Sequence, residues 1–474
     1  MSLLVMKFGG TSMGSAERIK VAAGISAEHN RSRPVIVVVS AMSKVTDLLL
    51  NTLKQAEDGN APGVENNIQE LQTRHVATCR ELLPAAACAA AICEIDDLIS
   101  NFARIARGVL MLGERPPKSV DEAIAIGEKL SAFLMASYLQ HSGTPAAAVS
   151  GSEVIVTDAV FGNATPLWAP TAAKAEQRLR PLLEAGVLPI VTGFIGATAD
   201  GRSTTLGRGG SDFSASIVAG ALDAAELWIW TDVDGIMTAD PRLVHDAAVL
   251  DEVTYNEAAE LAYNGAKVLH QRTLAPLIEK QIPVWSKNSF AAHKPGTRIV
   301  SKTSASLGPR AVTSMSNVAL VSIDPAGPAV NGTQIMARAL DALARVNAEV
   351  LALSSSSYRQ NFCFLIRRED LAAALESLES SLTLELAHNY LHPIGVNTEV
   401  GLLAVVGEGM RGTPGLAGRI FTAVSREKIN IIAIAQGSSE LTIAIVVARS
   451  GLEQAVQAVH AECGMGAPKV YQSA

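Results

Sequence analysis

Residues 34–39 read Pro-Val-Ile-Val-Val-Val, and this run decides the fold of the first half of the chain. A continuous β-branched run of this length is typical of a strand that is buried on both faces of a sheet. Residues 3–8, 187–192 and 226–231 are further strand candidates, and helical patterns alternate with them. We therefore predict an α/β fold, with a mostly parallel sheet covered by helices on both faces.

Length and composition favour several domains with large apolar cores. The chain has 474 residues, of which 48% are hydrophobic and 18% are charged. This length exceeds that of a usual single domain, so two or three domains are expected. The formal net charge is −7 and no block of Lys and Arg stands out. A nucleic-acid partner or an anionic membrane partner is therefore not expected.

The cysteines and the N-terminus indicate a cytoplasmic protein. The five cysteines are odd in number and form no C-x-x-C pair, so neither a disulfide framework nor a zinc ribbon is indicated. The first residues lack the pattern of a signal peptide, and no apolar run is long enough to suggest a membrane span.

The last third of the chain contains a repeat. A polar, turn-rich stretch at 302–310 suggests a boundary, and we predict a first domain over residues 1–300. Beyond it, an apolar strand, a helix and two further strands occur twice, about 80 residues apart. This order is the opening of a ferredoxin-like βαββαβ module. We predict two such modules, over residues 311–392 and 398–474.

Three glycine-rich segments carry candidate chemistry. Residues 7–12, Lys-Phe-Gly-Gly-Thr-Ser, follow a strand, and their glycines let backbone amides approach an anion. Residues 204–212, Thr-Thr-Leu-Gly-Arg-Gly-Gly-Ser-Asp, offer an Arg fork for a carboxylate or a phosphate. Residues 230–242 begin Trp-Thr-Asp-Val-Asp-Gly after a buried strand, but Leu243 stands where an EF-hand loop needs Glu. Taken singly, the first segment is best explained as an ordinary strand-to-helix turn with a surface lysine. The density of Gly, Thr and Ser weakens that explanation for the second segment, and Asp234-Gly235 in the third can be a simple turn.

Two shorter segments are weaker still when read alone. Residues 127–131, Gly-Glu-Lys-Leu-Ser, place one Glu in a helical pattern. Residues 264–270, Asn-Gly-Ala-Lys-Val-Leu-His, place one Lys near a helical turn. A solvated surface residue is the simplest interpretation of each.

Together and in this order, these segments and residues 40–43 (Ser-Ala-Met-Ser) resemble the aspartate kinase family, and the paired modules resemble its ACT domains. The resemblance covers essentially the whole chain. It implies an amino-acid-kinase α/β/α sandwich, followed by two ferredoxin-like ACT domains. The implied activity is ATP-dependent phosphorylation of the L-aspartate side-chain carboxylate to 4-phospho-L-aspartate. This reaction opens lysine, threonine and methionine biosynthesis and is implied to be under amino-acid feedback control.

The resemblance also assigns roles by position. The catalytic residues it implies are Lys7, Asp212 and Lys267, with Asp212 organising the lysines. The residues implied to contact ATP are Lys7, Phe8, Gly9, Gly10, Thr231, Asp232, Met237, Arg242, Lys267 and Val268. The residues implied to hold aspartate are Thr46, Glu128, Arg208 and Ser211. Arg208 would bind its α-carboxylate and Glu128 its ammonium group. ATP and Mg²⁺ are the expected cofactors, no metal ligand from the protein is predicted, and a homodimer or larger homo-oligomer is implied.

Three positions depart from the family pattern. Met237 stands where relatives often have Tyr, and Gln271 stands where Pro is common. The first module reads Ser-Ser-Ser-Tyr-Arg at 355–359, where the second reads Gln-Gly-Ser-Ser-Glu at 436–440. The first module also lacks the Gly-x-Gly-Met start found at 407–410. Whether lysine, threonine or no amino acid is the effector therefore stays open.

Three other functions compete with this interpretation. A related kinase could act on glutamate, acetylglutamate or carbamate, although the paired modules and residues 207–212 argue against it. A catalytically silent amino-acid sensor would be free to lose Lys7, Arg208, Asp212 and Lys267, which are all present. A kinase fused to homoserine dehydrogenase is not expected, because nothing follows the second module within these 474 residues.

Overall fold

The computed structural model describes residues 2–266, 269, 271–303, 308–327, 331–356, 361–410 and 412–466. The strands are β1 Leu4–Phe8, β2 Val35–Val39, β3 Ala146–Val149, β4 Val156–Thr157, β5 Leu188–Thr192, β6 Ile195–Thr198, β7 Ser203–Thr205, β8 Glu226–Thr231, β9 Glu252–Thr254, β10 Val284–Asn288, β11 Thr297–Val300, β12 Ala311–Met315, β13 Val318–Ile323, β14 Ala352–Ser355, β15 Phe362–Arg367, β16 Gly395–Asn397, β17 Val400–Val406, β18 Ile431–Gln436 and β19 Thr442–Ala448. The helices are α1 Ala16–Asn30, α2 Val45–Glu57, α3 Ala61–Leu82, α4 Ala85–Leu112, α5 Pro117–Ile124, α6 Ile126–His141, α7 Trp168–Glu184, α8 Gly210–Ala221, α9 Tyr255–Tyr263, α10 Gln271–Lys280, α11 Gly332–Arg345, α12 Leu371–Ser381, α13 Thr383–Ala387, α14 Leu416–Arg426 and α15 Leu452–Glu462.

The chain forms two compact units. The first contains residues 1–236, 251–255 and 269–303, and the second contains residues 237–250, 256–268 and 304–474. Two stretches inside the predicted first domain, 237–250 and 256–268, therefore pack with the second unit. Hydrogen bonds within that unit hold the second of these stretches. The Glu408 amide donates to Glu257 Oε1 at 3.0 Å, and the Thr442 hydroxyl donates to Glu260 Oε2 at 2.8 Å.

The first unit is built on an eight-stranded sheet, in the order β3-β5-β2-β1-β8-β10-β11-β9. Its pairs are parallel except β10 with β11. Every residue of β1, β2 and β5 is buried, as their apolar runs predict. The predicted mostly parallel sheet is confirmed.

The strand registers bring several turns to one edge of this sheet. Phe8 at the end of β1 pairs with Val39 of β2 and with Trp230 of β8, and Thr231 pairs with Asn288 of β10. Because parallel strands end at the same edge, the segments that follow these strands lie side by side. Ligands of open α/β sheets bind at this edge.

The helix after β2 begins later than the sequence predicts. A helical pattern from Ser40 was expected, but α2 starts at Val45. Lys44 precedes it in the left-handed region, with φ 64° and ψ 3°. Residues 40–44 therefore form a separate turn, because a left-handed residue cannot continue a right-handed helix.

The second unit contains two four-stranded antiparallel sheets. The first has the order β14-β15-β13-β16. With β13 as its first strand, this is the strand order of a complete βαββαβ module. The predicted repeat of strand, helix, strand and strand is confirmed in both halves.

The second sheet has the order β12-β17-β19-β18, and its outer strand β12 precedes the first module in the chain. All five residues of β12 pair with β17, from Ala311 with Val406 to Met315 with Leu402. The structure thus differs from the predicted ranges 311–392 and 398–474 at both ends. β12 belongs to the other sheet, and β16 at 395–397 closes the first sheet. In the described part of the chain, no helix is long and apolar enough to cross a membrane.

Candidate active site

A cavity of about 770 Å³ opens at the carboxyl edge of the large sheet. Its walls come from the turns that follow β1, β2 and β5 and from the first turns of α6 and α8. Seven residues predicted from the sequence line it: Lys7, Gly10, Thr46, Glu128, Arg208, Ser211 and Asp212. Segments that are distant in the chain therefore meet at one cavity.

Lys7 and Asp212 form an ion pair in this cavity. Lys7 Nζ lies 2.6 Å from Asp212 Oδ1, and the two side chains are 10% and 23% exposed. Lys7 is the fourth residue of β1, and Asp212 lies in the first turn of α8, where the helix dipole favours a negative charge. The ion pair holds the ammonium group of Lys7 at the cavity wall, where it can contact an anionic ligand.

Glu128 is a buried acid at the same cavity. It lies in the first turn of α6 and is 3% exposed. The amide of Ala41 hydrogen-bonds to its carboxyl group, but its Oε2 atom has no hydrogen-bond partner among the described residues. Burial raises the pKa of Glu128 to about 8, although the Ala41 amide and the charge of Lys7 oppose this rise. Without a ligand this carboxyl group is mostly protonated at neutral pH, and a ligand cation beside Oε2 would favour its ionised form.

Close backbone approach explains two of the glycines. A Cβ atom on Gly127 would lie 2.9 Å from the Cβ atom of Ala41, so only glycine lets the start of α6 pack against the 40–44 turn. A Cβ atom on Gly210 would lie 2.5 Å from the Phe194 ring. Both contacts bring cavity walls together, so these glycines set the position of Glu128 and of the turn that carries Arg208.

Arg208 stands on a tight turn before α8. Its neighbours Gly207 and Gly209 have φ 76° and φ 70°, which favour glycine. Arg208 is exposed and lines the cavity together with Ser211. A guanidinium in this position can bind a carboxylate through two parallel hydrogen bonds.

The other residues predicted to contact ATP have different surroundings. Phe8 is fully buried and stacks on Trp230 with 5.9 Å between ring centroids, so its side chain belongs to the core. The Gly9 amide donates to the Trp230 carbonyl at 3.3 Å. Thr231 ends β8, and its hydroxyl donates to Asp232 Oδ1 at 3.2 Å. None of these residues is among those that line the cavity.

Two predicted residues lie in the second unit, and two lie outside the described residues. Met237 and Arg242 belong to the second unit, where Arg242 forms an ion pair with Asp240 at 2.6 Å. Lys267 and Val268 lie outside the described residues.

Sequence reasoning missed Asp121, which also lines the cavity. Its carboxylate accepts hydrogen bonds from the amides of Gly162 and Thr205, at 2.9 Å each, and from the Thr205 hydroxyl at 2.8 Å. Burial raises the pKa of Asp121, against the effect of these three donors. Asp121 precedes Glu128 by seven residues, but the two lie on different helices, α5 and α6, so their spacing gave no signal in the sequence.

Comparison with known proteins identifies the family. Residues 2–288 match the model of the amino acid kinase family, and residues 403–463 match that of the ACT domain. The lysine-sensitive aspartokinase 3 of Escherichia coli is 31% identical over 464 residues, which cover 97% of this chain and 98% of that protein. The chain belongs to the amino acid kinase family, among its aspartokinases.

A solved aspartokinase structure has the same fold. The crystal structure of E. coli aspartokinase III in complex with aspartate and ADP matches with a TM-score of 0.83 and 30% identity, over 97% of this chain and 99% of that one. The expected fold class, an amino-acid-kinase sandwich followed by ACT domains, is confirmed.

Longer aspartokinases are also similar. The chloroplastic bifunctional aspartokinase/homoserine dehydrogenase 1 of Arabidopsis thaliana is 34% identical over 468 residues. That match covers 97% of this chain and 51% of the relative. The chain thus spans about half the length of the first curated relatives that it matches.

Proposed function

We propose that this aspartokinase transfers the γ-phosphate of ATP to the side-chain carboxylate of L-aspartate and releases 4-phospho-L-aspartate and ADP. The observation that carries the proposal is the gathering of Lys7, Glu128, Arg208 and Asp212 at one cavity. The buried acid Glu128 matches the one ammonium group of aspartate, and the cations Arg208 and Lys7 match its two carboxylates.

Each charged group of aspartate has a partner in this proposal. Arg208 binds the α-carboxylate with its planar fork. Glu128 accepts the ammonium group with the Oε2 atom that has no protein partner among the described residues. Thr46 and Ser211, which line the same cavity, supply hydroxyl groups. The side-chain carboxylate is then directed toward Lys7.

The reaction needs no general base. The side chain of aspartate has a pKa near 4 in water, so its carboxylate is ionised and nucleophilic at neutral pH. One of its oxygens bonds to the γ-phosphorus as the bond between that phosphorus and the bridging oxygen of ADP breaks. Catalysis then rests on alignment and on neutralising charge, which is the role proposed for Lys7 and the amide of Gly10, since the Gly9 amide donates to the Trp230 carbonyl.

The nucleotide is proposed to lie along the end of β8. Thr231 and Asp232 are the residues of the first unit assigned to it, with Phe8 contributing through its backbone. Mg²⁺ usually binds to substrate phosphates and one or two carboxylates. We propose that it enters with ATP and neutralises charge on the transferring group.

Regulation and assembly complete the proposal. The two ACT domains, built on the sheets β14-β15-β13-β16 and β12-β17-β19-β18, are proposed to bind an amino-acid effector and to join subunits into a homodimer or larger oligomer. Lysine is the first effector to test, because the E. coli relative is named as lysine-sensitive. All five cysteines are free thiols, which supports a reducing compartment such as the cytoplasm.

The test is acyl phosphate formation, trapped as a hydroxamate. Purified protein with ATP, Mg²⁺ and aspartate should give hydroxamate, and the same mixture with glutamate should give none. Product with glutamate alone would move the activity to a related amino-acid kinase. Repeating the assay with lysine, threonine and methionine then identifies the effector.

A further inference from the structure

The segment that follows β10 is bound tightly to the segment that follows β8. The Ser289 amide donates to the Thr231 carbonyl at 2.9 Å, and the Ser289 hydroxyl donates to the same oxygen at 3.2 Å. Farther along, Asn288 Nδ2 donates to Asp234 Oδ1 at 2.6 Å, and Lys294 Nζ donates to Asp234 Oδ2 at 2.6 Å. Both ends of residues 231–234 are thus held by residues 288–294, which we name the brace.

The brace also contacts the segment that follows β1. Ser289 Oγ lies 2.8 Å from Ser12 Oγ, and both residues are buried, at 3% and 1% exposure. The Arg18 guanidinium lies over the Phe290 ring at 3.5 Å from its centroid. Ser289 therefore joins, through one side chain, the turn at 7–12 to the end of β8.

The hydrogen bonds form a directed chain. If the Ser289 hydroxyl donates its one proton to the Thr231 carbonyl, its oxygen is left to accept from Ser12. The Phe290 amide donates to Asn288 Oδ1 at 2.8 Å, which orients the Asn288 side chain so that its NH₂ group points at Asp234. Lys294 and Asn288, in that order, lower the pKa of Asp234, so this carboxylate stays ionised and paired at neutral pH.

We propose that Ser289 is a positioning residue for ATP: it fixes the distance between the phosphate-binding turn at 7–12 and the nucleotide loop at 231–234. The inference rests on the proposed function, in which these two segments hold opposite ends of the nucleotide. A displacement of about 1 Å between them means that ATP cannot meet both segments in their best geometry, so its binding weakens along with the alignment of the γ-phosphate. The residues proposed to bind aspartate, Glu128 and Arg208, lie on other segments, in the first turn of α6 and on the turn before α8.

The test is the variant Ser289→Ala, which removes both side-chain hydrogen bonds and keeps the backbone contact. We expect the KM for ATP to rise about tenfold and the KM for aspartate to change by less than about twofold. Ser289→Thr keeps the hydroxyl group and should restore most of the ATP affinity. Ser26→Ala is the matched control, because Ser26 is a fully buried serine of the same unit whose hydroxyl bonds to Ala22 within α1.

A double variant separates positioning from general loss of stability. Ser12 and Ser289 share one hydrogen bond, so Ser12→Ala combined with Ser289→Ala should raise the KM for ATP no more than the larger single effect. Equal changes in the two KM values, or no change in either, would overturn the proposal. If Ser289→Ala does not fold, the same two KM values are measured for Asp234→Asn, which weakens the more exposed end of the contact between the brace and residues 231–234.

The dissociation constant of ATP, measured by calorimetry without an acceptor, separates this inference from the proposed function. A wild-type protein that binds ATP but makes no aspartyl phosphate contradicts the proposed acceptor alone. In that case the ATP affinity of the Ser289 variants still decides the role of the brace. A wild-type protein that binds no ATP overturns both.

Discussion

Glu128 combines a cost to folding with a role in binding. Its pKa is about 8 in the folded protein and near 4.3 in an unfolded chain. Between these values the folded state holds a proton that the unfolded state has lost, so this group lowers stability as pH rises. Functional groups buried in this way are often kept at the expense of stability.

We therefore predict that Glu128→Gln stabilises the protein but weakens aspartate binding. The gain in the free energy of unfolding should be small near pH 5 and should grow to a few kcal/mol by about pH 8. The KM for aspartate should rise at least about tenfold, because an amide cannot form the charged pair. Urea unfolding at several pH values and steady-state kinetics measure the two effects. Glu114→Gln, at an exposed position, should change neither.

Lys44 has a backbone conformation that lysine does not favour. Its φ of 64° places it in the left-handed region at the start of α2. We predict that Lys44→Gly raises the free energy of unfolding by about 0.5–1 kcal/mol, because glycine has no Cβ atom to clash there.

A second lysine provides the control for this prediction. Lys428 has φ 58°, belongs to the second unit and is not a cavity-lining residue. Lys428→Gly should give a similar gain by thermal unfolding. A loss of stability in Lys44→Gly alone would show that its side chain makes a stabilising contact.

At the scale of elements, Asp121 ties α5 to the hairpin strand β7. Asp121→Ala leaves the buried hydroxyl and amide of Thr205 and the amide of Gly162 without their acceptor, so we predict a loss of about 2–3 kcal/mol in the free energy of unfolding. Asp200→Ala is the control, because Asp200 is exposed and bonds within its own turn. A loss below about 1 kcal/mol for Asp121→Ala would mean that water satisfies these donors.

The elements of the large sheet were predictable because burial determines their composition. β2 and β8 lie where the sequence predicts them, and the uninterrupted apolar run of β2 is buried on both faces. The turn at 40–44 was not predicted, because its residues fit a helical pattern as well as a turn. What decides its shape is the contact of Ala41 with Gly127, which is distant in sequence.

The site was predictable only in part for a related reason. Motifs named the charged residues, and Lys7, Glu128, Arg208 and Asp212 do meet at one cavity. Asp121 and the brace carry no glycine-rich signature. Their importance comes from hydrogen bonds between segments separated by tens to hundreds of residues, which a single sequence does not display.

At the scale of the whole molecule, the pairing of β12 with β17 leads to a prediction that concerns both sheets of the second unit. Val312 of β12 is 2% exposed and packs in the core of the second sheet with Leu403 and Ile445. Val312→Ala should cost about 2 kcal/mol and lower hydrogen-exchange protection in β17 and β19. Val321→Ala in β13 should instead lower protection in β15. Reduced protection of β15 by Val312→Ala would contradict the described pairing.

The repeat predicted two modules but could not show which strand closes each sheet. The offset between the two copies identifies the strands that correspond to each other. The sequence of β12 does not show which of the two sheets it completes. β12 has only five residues, and some of them are polar. The whole first module lies between β12 and its partner β17 in the sequence. Non-local pairing of this kind leaves no periodic signal in the sequence.

The pairing of β12 with the distant strand β17 has a consequence for folding during translation. On the ribosome, β12 emerges well before β17, so it must wait for an entire module to be translated before its backbone amides find their partner. An unpaired strand is a site for wrong association. A chain that stops early, after the first module, would therefore keep a permanently unsatisfied edge. We expect such nascent fragments to depend on chaperones more than the finished protein does.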